Sequence, residues 1–243
     1  MLLKDKITLV TGAGSGIGRA VANLFASEGA WVILLGRTQA KLEETSDQIN
    51  AAGGRAVIAP LDLENGLDRI PELARALHER FGHLDVLVNN AGILGTLTPL
   101  ENYESILWEQ VFRINVTAPF FLTRELMPLL KKSPEASVIN CSSSVAFKGR
   151  AFWGAYAATK AALVNMTETW AGEFSKRGVR FNTVNPGATA TAMRAQAYPG
   201  EDPATLPAPQ QVARVFLYLA SHFSTDVRGQ HLNARDWLTW HLQ

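Results

Sequence analysis

The sequence contains very little cysteine and no long apolar run. Its 243 residues include one cysteine, Cys141, so no intramolecular disulfide can form and no metal cluster can rest on thiolates. The five histidines show no paired ligand spacing, and no apolar run approaches the roughly 18 residues that a membrane-spanning helix needs. These absences exclude a disulfide-stapled scaffold and a helical membrane protein, and we expect no metal site.

Net charge is nearly absent as well. The 23 Lys and Arg residues and the 22 Asp and Glu residues leave a formal charge of +1, and the basic residues are scattered. No strong field is available to recruit nucleic acid or anionic lipid. The opening residues MLLKDKITLV lead directly into a strand pattern, without the features of a targeting segment. We therefore expect a cytoplasmic protein that binds neither nucleic acid nor membrane.

Short runs of β-branched and large apolar residues alternate with longer helical patterns. Most of the short runs are continuously apolar, which is typical of strands buried on both faces of a parallel sheet. The alternation predicts an α/β fold with a single Rossmann-like, doubly wound parallel sheet of about seven strands across residues 1–243, with helices on both faces. The predicted strands are Ile7–Val10, Trp31–Leu35, Ala56–Ala59, Val86–Val88, Ser137–Asn140, Arg180–Val184 and Gln230–Asn233. The predicted helices include Ile17–Ser27, Lys41–Ala51, Leu67–Phe81, Tyr103–Leu130 and Trp153–Phe174.

One segment, residues 189–209, departs from this pattern. It reads TATAMRAQAYPGEDPATLPAP, is rich in proline near its end and lacks a sustained apolar period. A long irregular stretch inside a compact domain is usually a functional lid or is disordered. We interpret it as a loop that covers a substrate.

A glycine-rich stretch, TGAGSGIG, follows the first predicted strand and opens the first helix. Gly12, Gly16 and Gly18 allow a tight turn and a close approach of the backbone to a phosphate, and the helix N-terminus supplies free N–H groups. Ser15 and Ile17 lie in the same turn and are further candidate contacts. This strand–turn–helix context predicts a dinucleotide-binding site.

The choice of dinucleotide depends on the end of the second strand, which reads LLGRT. An acidic side chain often stands there to bind the adenosine ribose hydroxyls, but this sequence has Gly36 followed by Arg37. An arginine can pair with a 2′-phosphate. We predict NADP in preference to NAD; the other reading is that Arg37 is only a solvated charge.

Tyr156 and Lys160 are four residues apart in the alanine-rich run GAYAATKAAL. Positions i and i+4 lie on one face of a helix, so the two side chains can meet. A nearby ammonium favours the phenolate and is expected to lower the tyrosine pKa from about 10. The pair is therefore a candidate general acid for carbonyl reduction or general base for alcohol oxidation.

Together these motifs resemble the short-chain dehydrogenase/reductase family. The pattern TGxxxGxG from Thr11, NNAG at Asn89–Gly92, the Tyr156/Lys160 pair and NPG at Asn185–Gly187 occur in the family's order. Within the family, the stretches SSSVAFKGRAFWGAYAATK and NPGATATAMRAQAYPGEDP are similar to YciK-like bacterial oxidoreductases. The resemblance implies hydride transfer between a nicotinamide and a carbonyl or secondary alcohol.

The resemblance also implies roles for individual residues. Ser143, thirteen residues before Tyr156, would polarise the substrate, although Ser142 and Ser144 are adjacent alternatives. Asn115 would hold a water beside Lys160 for proton relay, and Lys160 would also bind the nicotinamide ribose. The implied cofactor contacts are Asp62, Leu63, Asn89, Ala91, Gly92, Tyr156, Lys160, Pro186, Gly187, Thr189 and Thr191.

The substrate remains open between two classes of chemistry. Candidate apolar pocket walls are Leu94, Phe147, Trp153, Met193 and Tyr198, whereas Lys148, Arg150 and Arg194 could hold an anion. A different reading of the whole chain is a non-catalytic NADP-binding redox sensor, which would bind cofactor without turnover.

We also expect a homodimer or homotetramer. The helix Trp153–Phe174 is apolar on nearly every face, so it needs burial all round. The family's subunit contact through this helix agrees with that expectation. Trp237 and Trp240 near the C-terminus are further candidate subunit contacts.

Overall fold

A computed structural model describes residues 1–174 and 178–239. Its centre is a seven-stranded sheet in which every neighbouring pair of strands is parallel, in the order β3-β2-β1-β4-β5-β6-β7. The strands are β1 (Ile7–Thr11), β2 (Trp31–Gly36), β3 (Arg55–Pro60), β4 (Val86–Asn89), β5 (Ser137–Cys141), β6 (Arg180–Asn185) and β7 (His231–Asn233). The predicted Rossmann-like fold and its seven strands are confirmed, with strand ends within one residue of those predicted.

Helices cover both faces of the sheet. They are α1 (Gly16–Ser27), α2 (Gln39–Ala51), α3 (Ile70–Phe81), α4 (Ser105–Phe112), α5 (Ala118–Leu130), α6 (Gly154–Glu173), α7 (Ala192–Ala197) and α8 (Pro209–Ala220). Successive strand residues point to opposite faces. Val10 accordingly packs in a core with α1, α2 and α8, whereas Leu9 packs in a second core with α3 and α5. This two-sided burial is why the strands are continuously apolar.

The predicted helix Tyr103–Leu130 is interrupted in the structure. A π-helical segment, Arg113–Thr117, joins α4 to α5, and Pro119 stands in the first turn of α5. Such π segments are rare and are frequent at functional sites. The predicted helix Leu67–Phe81 likewise begins with a 3₁₀ turn, Leu67–Arg69, before α3.

The segment 189–209 contains two short helical pieces. Thr191 caps α7 by accepting a hydrogen bond from the Arg194 amide, and a 3₁₀ turn follows at Pro203–Thr205. The six-residue α7 is too short to produce an apolar period, so the sequence pattern did not reveal it.

Chain order and strand order diverge between β1 and β4. From β1 the chain builds β2 and β3 on one side and then continues with β4 to β7 on the other. This switch point opens a crevice beyond the carboxyl ends of β1 and β4, which is where such sheets bind ligands.

Among the helices of the described residues, none combines the length and apolar character that crossing a membrane requires. The same ranges contain no group of three or more His, Cys, Asp or Glu side chains placed to hold a metal ion. Trp240 lies outside the described residues.

Candidate active site

The glycine-rich turn lies at the switch point, between β1 and α1. Gly12 and Gly16 have φ angles of +66° and +53°, which side-chain-bearing residues rarely adopt. A Cβ atom at Gly18 would stand 2.3 Å from the Gly12 carbonyl oxygen. The turn is therefore possible only with glycine at these positions.

The start of α1 is suited to an anion. Ser15 is the N-cap residue, yet its side chain makes no capping hydrogen bond. The first N–H groups of α1 thus have no side-chain acceptor among the described residues, and they coincide with the positive end of the helix dipole. These features fit the phosphates of a dinucleotide.

The segment after β4 packs directly against this turn. The Thr11 hydroxyl accepts hydrogen bonds from the backbone N–H groups of Asn90 and Ala91, both at 2.9 Å, and the Asn90 amide donates to the Thr11 carbonyl at 2.9 Å. Asn89 is only 2% exposed, and its amide nitrogen donates to the Asn140 side chain at 2.8 Å. The Asn89 side chain thus points into the core, so only its backbone is placed to face the crevice.

The predicted adenosine contacts follow the next two strands. Arg37 is exposed directly after β2, and its side chain makes no ion pair or hydrogen bond with any other described residue. Asp62 follows β3, and its carboxylate accepts hydrogen bonds from the Glu64 backbone N–H (2.9 Å) and from the Asn65 side chain (3.1 Å). Leu63 beside it is buried.

Tyr156 and Lys160 lie on the same face of α6, as predicted. The Lys160 ammonium is 5.5 Å from the centre of the Tyr156 ring and donates a hydrogen bond to the Cys141 carbonyl oxygen at 2.7 Å. Ser143 stands next to the Tyr156 side chain and lines the same cavity. The end of β5 and the first turns of α6 thus bring one phenol, one hydroxyl and one ammonium together.

The structure does not show the lowered Tyr156 pKa that the sequence predicts from Lys160, and this role of the lysine stays a prediction. Burial raises the pKa of the Tyr156 phenol above its ordinary value; the Cys141 side chain adds to this effect, and the Ser143 side chain opposes it. Burial also lowers the pKa of the Lys160 ammonium. Removal from water therefore outweighs any benefit that the phenolate could draw from the lysine.

The three neighbouring serines have different environments. Ser143 lines the cavity next to Tyr156, and Ser144 also lines the cavity but begins a short 3₁₀ turn. Ser142 is 1% exposed, and its hydroxyl is buried without a hydrogen-bond partner. Of the three, Ser143 is thus the serine in contact with the phenol.

Asn115 lies in the π-helical segment and is 1% exposed. Its amide exchanges two hydrogen bonds of 2.9 Å with the Ile93 backbone and donates to the Thr159 hydroxyl at 3.1 Å. A Cβ atom at Gly92 would stand 3.1 Å from the Asn115 oxygen and 3.6 Å from the Lys160 nitrogen. Asn115, Gly92 and Lys160 therefore meet in one small region behind Tyr156.

The segment after β6 closes the other side of the crevice. Gly187 has a φ angle of +67°, and the buried Thr189 hydroxyl donates to the Pro186 carbonyl at 3.2 Å. The Thr191 methyl would lie 3.5 Å from a Cβ atom at Gly16. The glycine-rich turn and the segment after β6 therefore face each other closely.

A cavity of about 140 Å³ lies between these elements. Phe147 is not part of its wall, because this ring is exposed and packs edge-on against His231 at 5.2 Å. Lys148 does not line it either. The lining residues are Ile17, Leu94, Ser143, Ser144, Val145, Arg150, Trp153, Tyr156, Pro186, Gly187, Ala188, Thr189, Thr191, Met193, Arg194, Ala197 and Tyr198.

Sequence reasoning missed the polar side chains that hold the site from behind. Thr11 and Asn90 lock the glycine-rich turn, and Thr159 orients Asn115. The position of Thr159, three residues after Tyr156 on the same helix, was the available signal. Nothing local in the sequence identifies the pairing of Asn90 with Thr11, because Thr11 ends β1 and Asn90 follows β4, far away in the chain.

Comparison with known proteins agrees with this architecture. The sequence pattern of the short chain dehydrogenase family matches residues 6–202. The chain is 42% identical over 237 residues to the uncharacterized oxidoreductase YciK of Escherichia coli (strain K12), with coverage of 96% of this chain and 93% of YciK.

Two solved structures are similarly close. A protein from Pseudomonas syringae described as a short chain dehydrogenase is 50% identical, with a TM-score of 0.94 and coverage of 96% of each chain. A protein from Shigella flexneri 2a, described in the same way and complexed with NADP, is 42% identical, with a TM-score of 0.94 and coverage of 96% of this chain and 98% of its own. The chain therefore belongs to the short chain dehydrogenase family of oxidoreductases.

Proposed function

We propose that the protein is an NADP(H)-dependent oxidoreductase that interconverts a carbonyl and a secondary alcohol. The observation that carries the proposal is the composition of one cavity. Its wall contains Ser143 and Tyr156, and also Ile17, Pro186 and Thr191 of the predicted cofactor site. A proton donor and the predicted cofactor crevice therefore share one cavity, as carbonyl reduction requires.

When bound, the nicotinamide supplies or accepts the hydride, and the protein holds the reacting groups. The glycine-rich turn, with Gly12, Ser15, Gly16, Ile17 and Gly18, would hold the pyrophosphate at the start of α1. The other residues that would hold the cofactor are Arg37, Asp62, Leu63, Asn89, Ala91, Gly92, Tyr156, Lys160, Pro186, Gly187, Thr189 and Thr191.

Tyr156 is suited to act as the general acid. The phenol carries its proton at neutral pH and can donate it to a substrate oxygen. The Ser143 hydroxyl, next to Tyr156 in the cavity wall, would donate a second hydrogen bond to the same oxygen.

Lys160 and Asn115 act behind the phenol in this proposal. The Lys160 ammonium would bind the nicotinamide ribose and return protons to Tyr156, with Asn115 completing the path to solvent. Support comes from the contact of Lys160 with the Tyr156 ring and from the close approach of both side chains to Gly92.

Arg37 would select NADP(H) over NAD(H). It is exposed at the end of β2, free of any carboxylate in the described residues, and the Shigella flexneri neighbour is complexed with NADP. A guanidinium can form paired, charge-assisted hydrogen bonds with a 2′-phosphate.

The test is a titration of tryptophan fluorescence with NADPH and with NADH. We expect NADPH to bind at least about tenfold more tightly, a difference of about 1.4 kcal/mol. Arg37→Asp should weaken NADPH binding much more than NADH binding, and Arg75→Asp, an exposed arginine on α3, is the control for the charge change. Equal losses for both cofactors in Arg37→Asp would remove the 2′-phosphate role.

The same samples distinguish an enzyme from a redox sensor. An enzyme oxidises NADPH when a panel of ketones and aldehydes is added, whereas a sensor binds NADPH without turnover. Absence of turnover across the panel, with tight NADPH binding, would favour the sensor.

The segment 189–209 would cover the substrate, because Thr191, Met193 and Tyr198 within it already line the cavity.

A homodimer or homotetramer would form through α6, where Ala161 is exposed and Met166 and Trp170 are half-buried. Light scattering of the purified protein measures this assembly directly.

A further inference from the structure

Only two charged side chains line the cavity, and both are arginines. Arg150 and Arg194 stand in a wall that is otherwise apolar, aromatic or hydroxyl-bearing, and no Asp or Glu among the described residues lines it. The charged groups that reach the cavity are therefore cationic.

Arg194 is neutralised by the protein itself. Its Nε and Nη2 atoms donate to the two carboxylate oxygens of Glu201 at 2.5 and 2.6 Å, and its guanidinium lies 3.7 Å from the centre of the Tyr198 ring. A bidentate pair of this kind satisfies the charge and fixes the side chain. Arg194 thus forms part of the cavity wall but is already paired. Arg150 is the other cation in that wall.

Arg150 has no such partner. Its guanidinium makes no ion pair or hydrogen bond with a described residue; it lies over the rings of Trp153 and Tyr198, at 5.8 and 5.4 Å from their centres. A cation over two aromatic faces is held in place while all of its N–H donors remain available.

The backbone around Arg150 is also held. The Trp153 N–H donates to the Arg150 carbonyl at 3.2 Å, and the Thr98 N–H donates to the Phe152 carbonyl at 3.1 Å. These bonds tie the loop before α6 to the segment after β4, so the guanidinium starts from a defined position.

The aromatic rings set the separation between this cation and the reacting end. The Trp153 ring lies 5.8 Å from the Tyr156 ring and 6.0 Å from the Tyr198 ring. Arg150 and Tyr156 therefore both contact the Trp153 ring. A group bound to Arg150 would be several bonds away from the carbonyl bound to Tyr156.

We propose that Arg150 determines substrate specificity by binding an oxyanion, carboxylate or phosphate, that the carbonyl substrate carries several bonds from its reacting carbon. Trp153, Leu94 and Met193 pack against the apolar part between the two ends. This inference rests on the proposed function, and it narrows the substrate class from any carbonyl compound to an acidic one.

The test compares three aryl ketones that differ at one end: 4-oxo-4-phenylbutanoate, its methyl ester and the corresponding phosphonate. Dissociation constants on the NADP⁺-loaded protein, which cannot reduce a ketone, and steady-state kinetics with NADPH are measured for wild type, Arg150→Gln and Arg150→Lys. Lys148→Gln is the matched control, since it removes the same charge from the same loop outside the cavity wall.

We expect an anionic probe to bind wild type about tenfold or more tightly than the ester. The reason is that a hydrogen bond between two charged groups stabilises binding more than a hydrogen bond to a neutral ester oxygen does. Arg150→Gln should abolish this preference, Arg150→Lys should keep part of it, and Lys148→Gln should leave it unchanged. The stronger of the two anionic probes identifies the oxyanion as carboxylate or phosphate.

Three results would overturn the proposal: equal binding of ester and anions, an equal loss for ester and anions in Arg150→Gln, or the same loss in Lys148→Gln. Failure of every probe to bind a protein that still binds NADPH would also overturn it and would leave the proposed function standing. Failure to bind NADPH would instead refute the proposed function, and with it this inference.

Discussion

The two sides of the crevice are built in different ways. On the cofactor side, the turn after β1 depends on backbone geometry: Gly12 and Gly16 have positive φ angles, and Gly18 leaves no space for a Cβ atom. On the substrate side, the wall consists of side chains, with Trp153 and Tyr198 carried by segments outside the sheet.

This difference explains what each side can vary. A backbone site for phosphates tolerates few substitutions, because any Cβ atom changes the path of the chain. A wall of side chains on loops can change residue by residue while the fold stays the same. The backbone of the cofactor site is therefore the feature that identifies the family. The substrate has to be inferred from individual side chains of the cavity wall.

The sharpest way to separate the two sides is Tyr156→Phe. The substitution removes one hydroxyl from the substrate side and leaves the glycine-rich turn untouched. We expect kcat to fall by about 10²–10⁴-fold, the range for loss of a general acid, with NADPH binding nearly unchanged. Steady-state kinetics and the fluorescence titration measure the two effects in one preparation.

A Tyr156→Phe variant that kept most of its activity would refute the proposed mechanism. Ser143→Ala is the companion variant, since it removes the hydroxyl next to Tyr156 in the cavity wall. It should lower kcat as well and leave NADPH binding intact.

Gly18→Ala is the opposite experiment: it changes the cofactor side and leaves the side chains of the substrate side in place. Alanine improves helix propensity by up to about 1 kcal/mol, but its Cβ atom would stand 2.3 Å from the Gly12 carbonyl oxygen and 2.6 Å from the Asn90 amide nitrogen. Overpacking costs about 1–3 kcal/mol, so the clash prevails. We expect a lower free energy of unfolding and weaker NADPH binding.

Denaturant unfolding measures the free energy of unfolding of Gly18→Ala, and titration with NADPH measures its cofactor binding. Gly149→Ala is the control, because a Cβ atom there meets nothing within 4 Å. If Gly18→Ala bound NADPH as well as wild type, the backbone of this turn would not be the phosphate site.

The architecture could be predicted well from the sequence. Strands buried on both faces, such as β1, β2 and β4, read as largely apolar runs and were found on that basis. The edge strands β3 and β7 are only partly buried, and β7 has the weakest sequence pattern. The interruption of the helix Tyr103–Leu130 was missed because a π segment needs no special residue; Asn115 stands at a position whose partners, Ile93 and Thr159, come from elsewhere in the chain.

The candidate site was predictable in its parts and less so in its electrostatics. Spacing placed Tyr156, Lys160 and Ser143 together correctly. It could not reveal that burial dominates the phenol's pKa, because burial is a property of the whole packed structure. For the same reason the sequence could not distinguish Arg194, paired with Glu201, from the unpaired Arg150.

The smallest expected effect concerns the ionisation of Tyr156, the buried phenol on the substrate side. On the cofactor side, by contrast, the charged candidate contact Arg37 is exposed. The pKa of Tyr156 is higher in the folded protein than in the unfolded chain, where it is near 10. The stability that Tyr156 contributes is therefore complete below pH 10 and is lost as the pH rises toward the folded-state pKa. We expect the difference in unfolding free energy between wild type and Tyr156→Phe to shift by about 1 kcal/mol against wild type between pH 9 and pH 11. Urea unfolding of both proteins at the two pH values measures this difference, and titrations common to both cancel. A difference that stays constant with pH would mean that the phenol ionises as readily in the fold as in water.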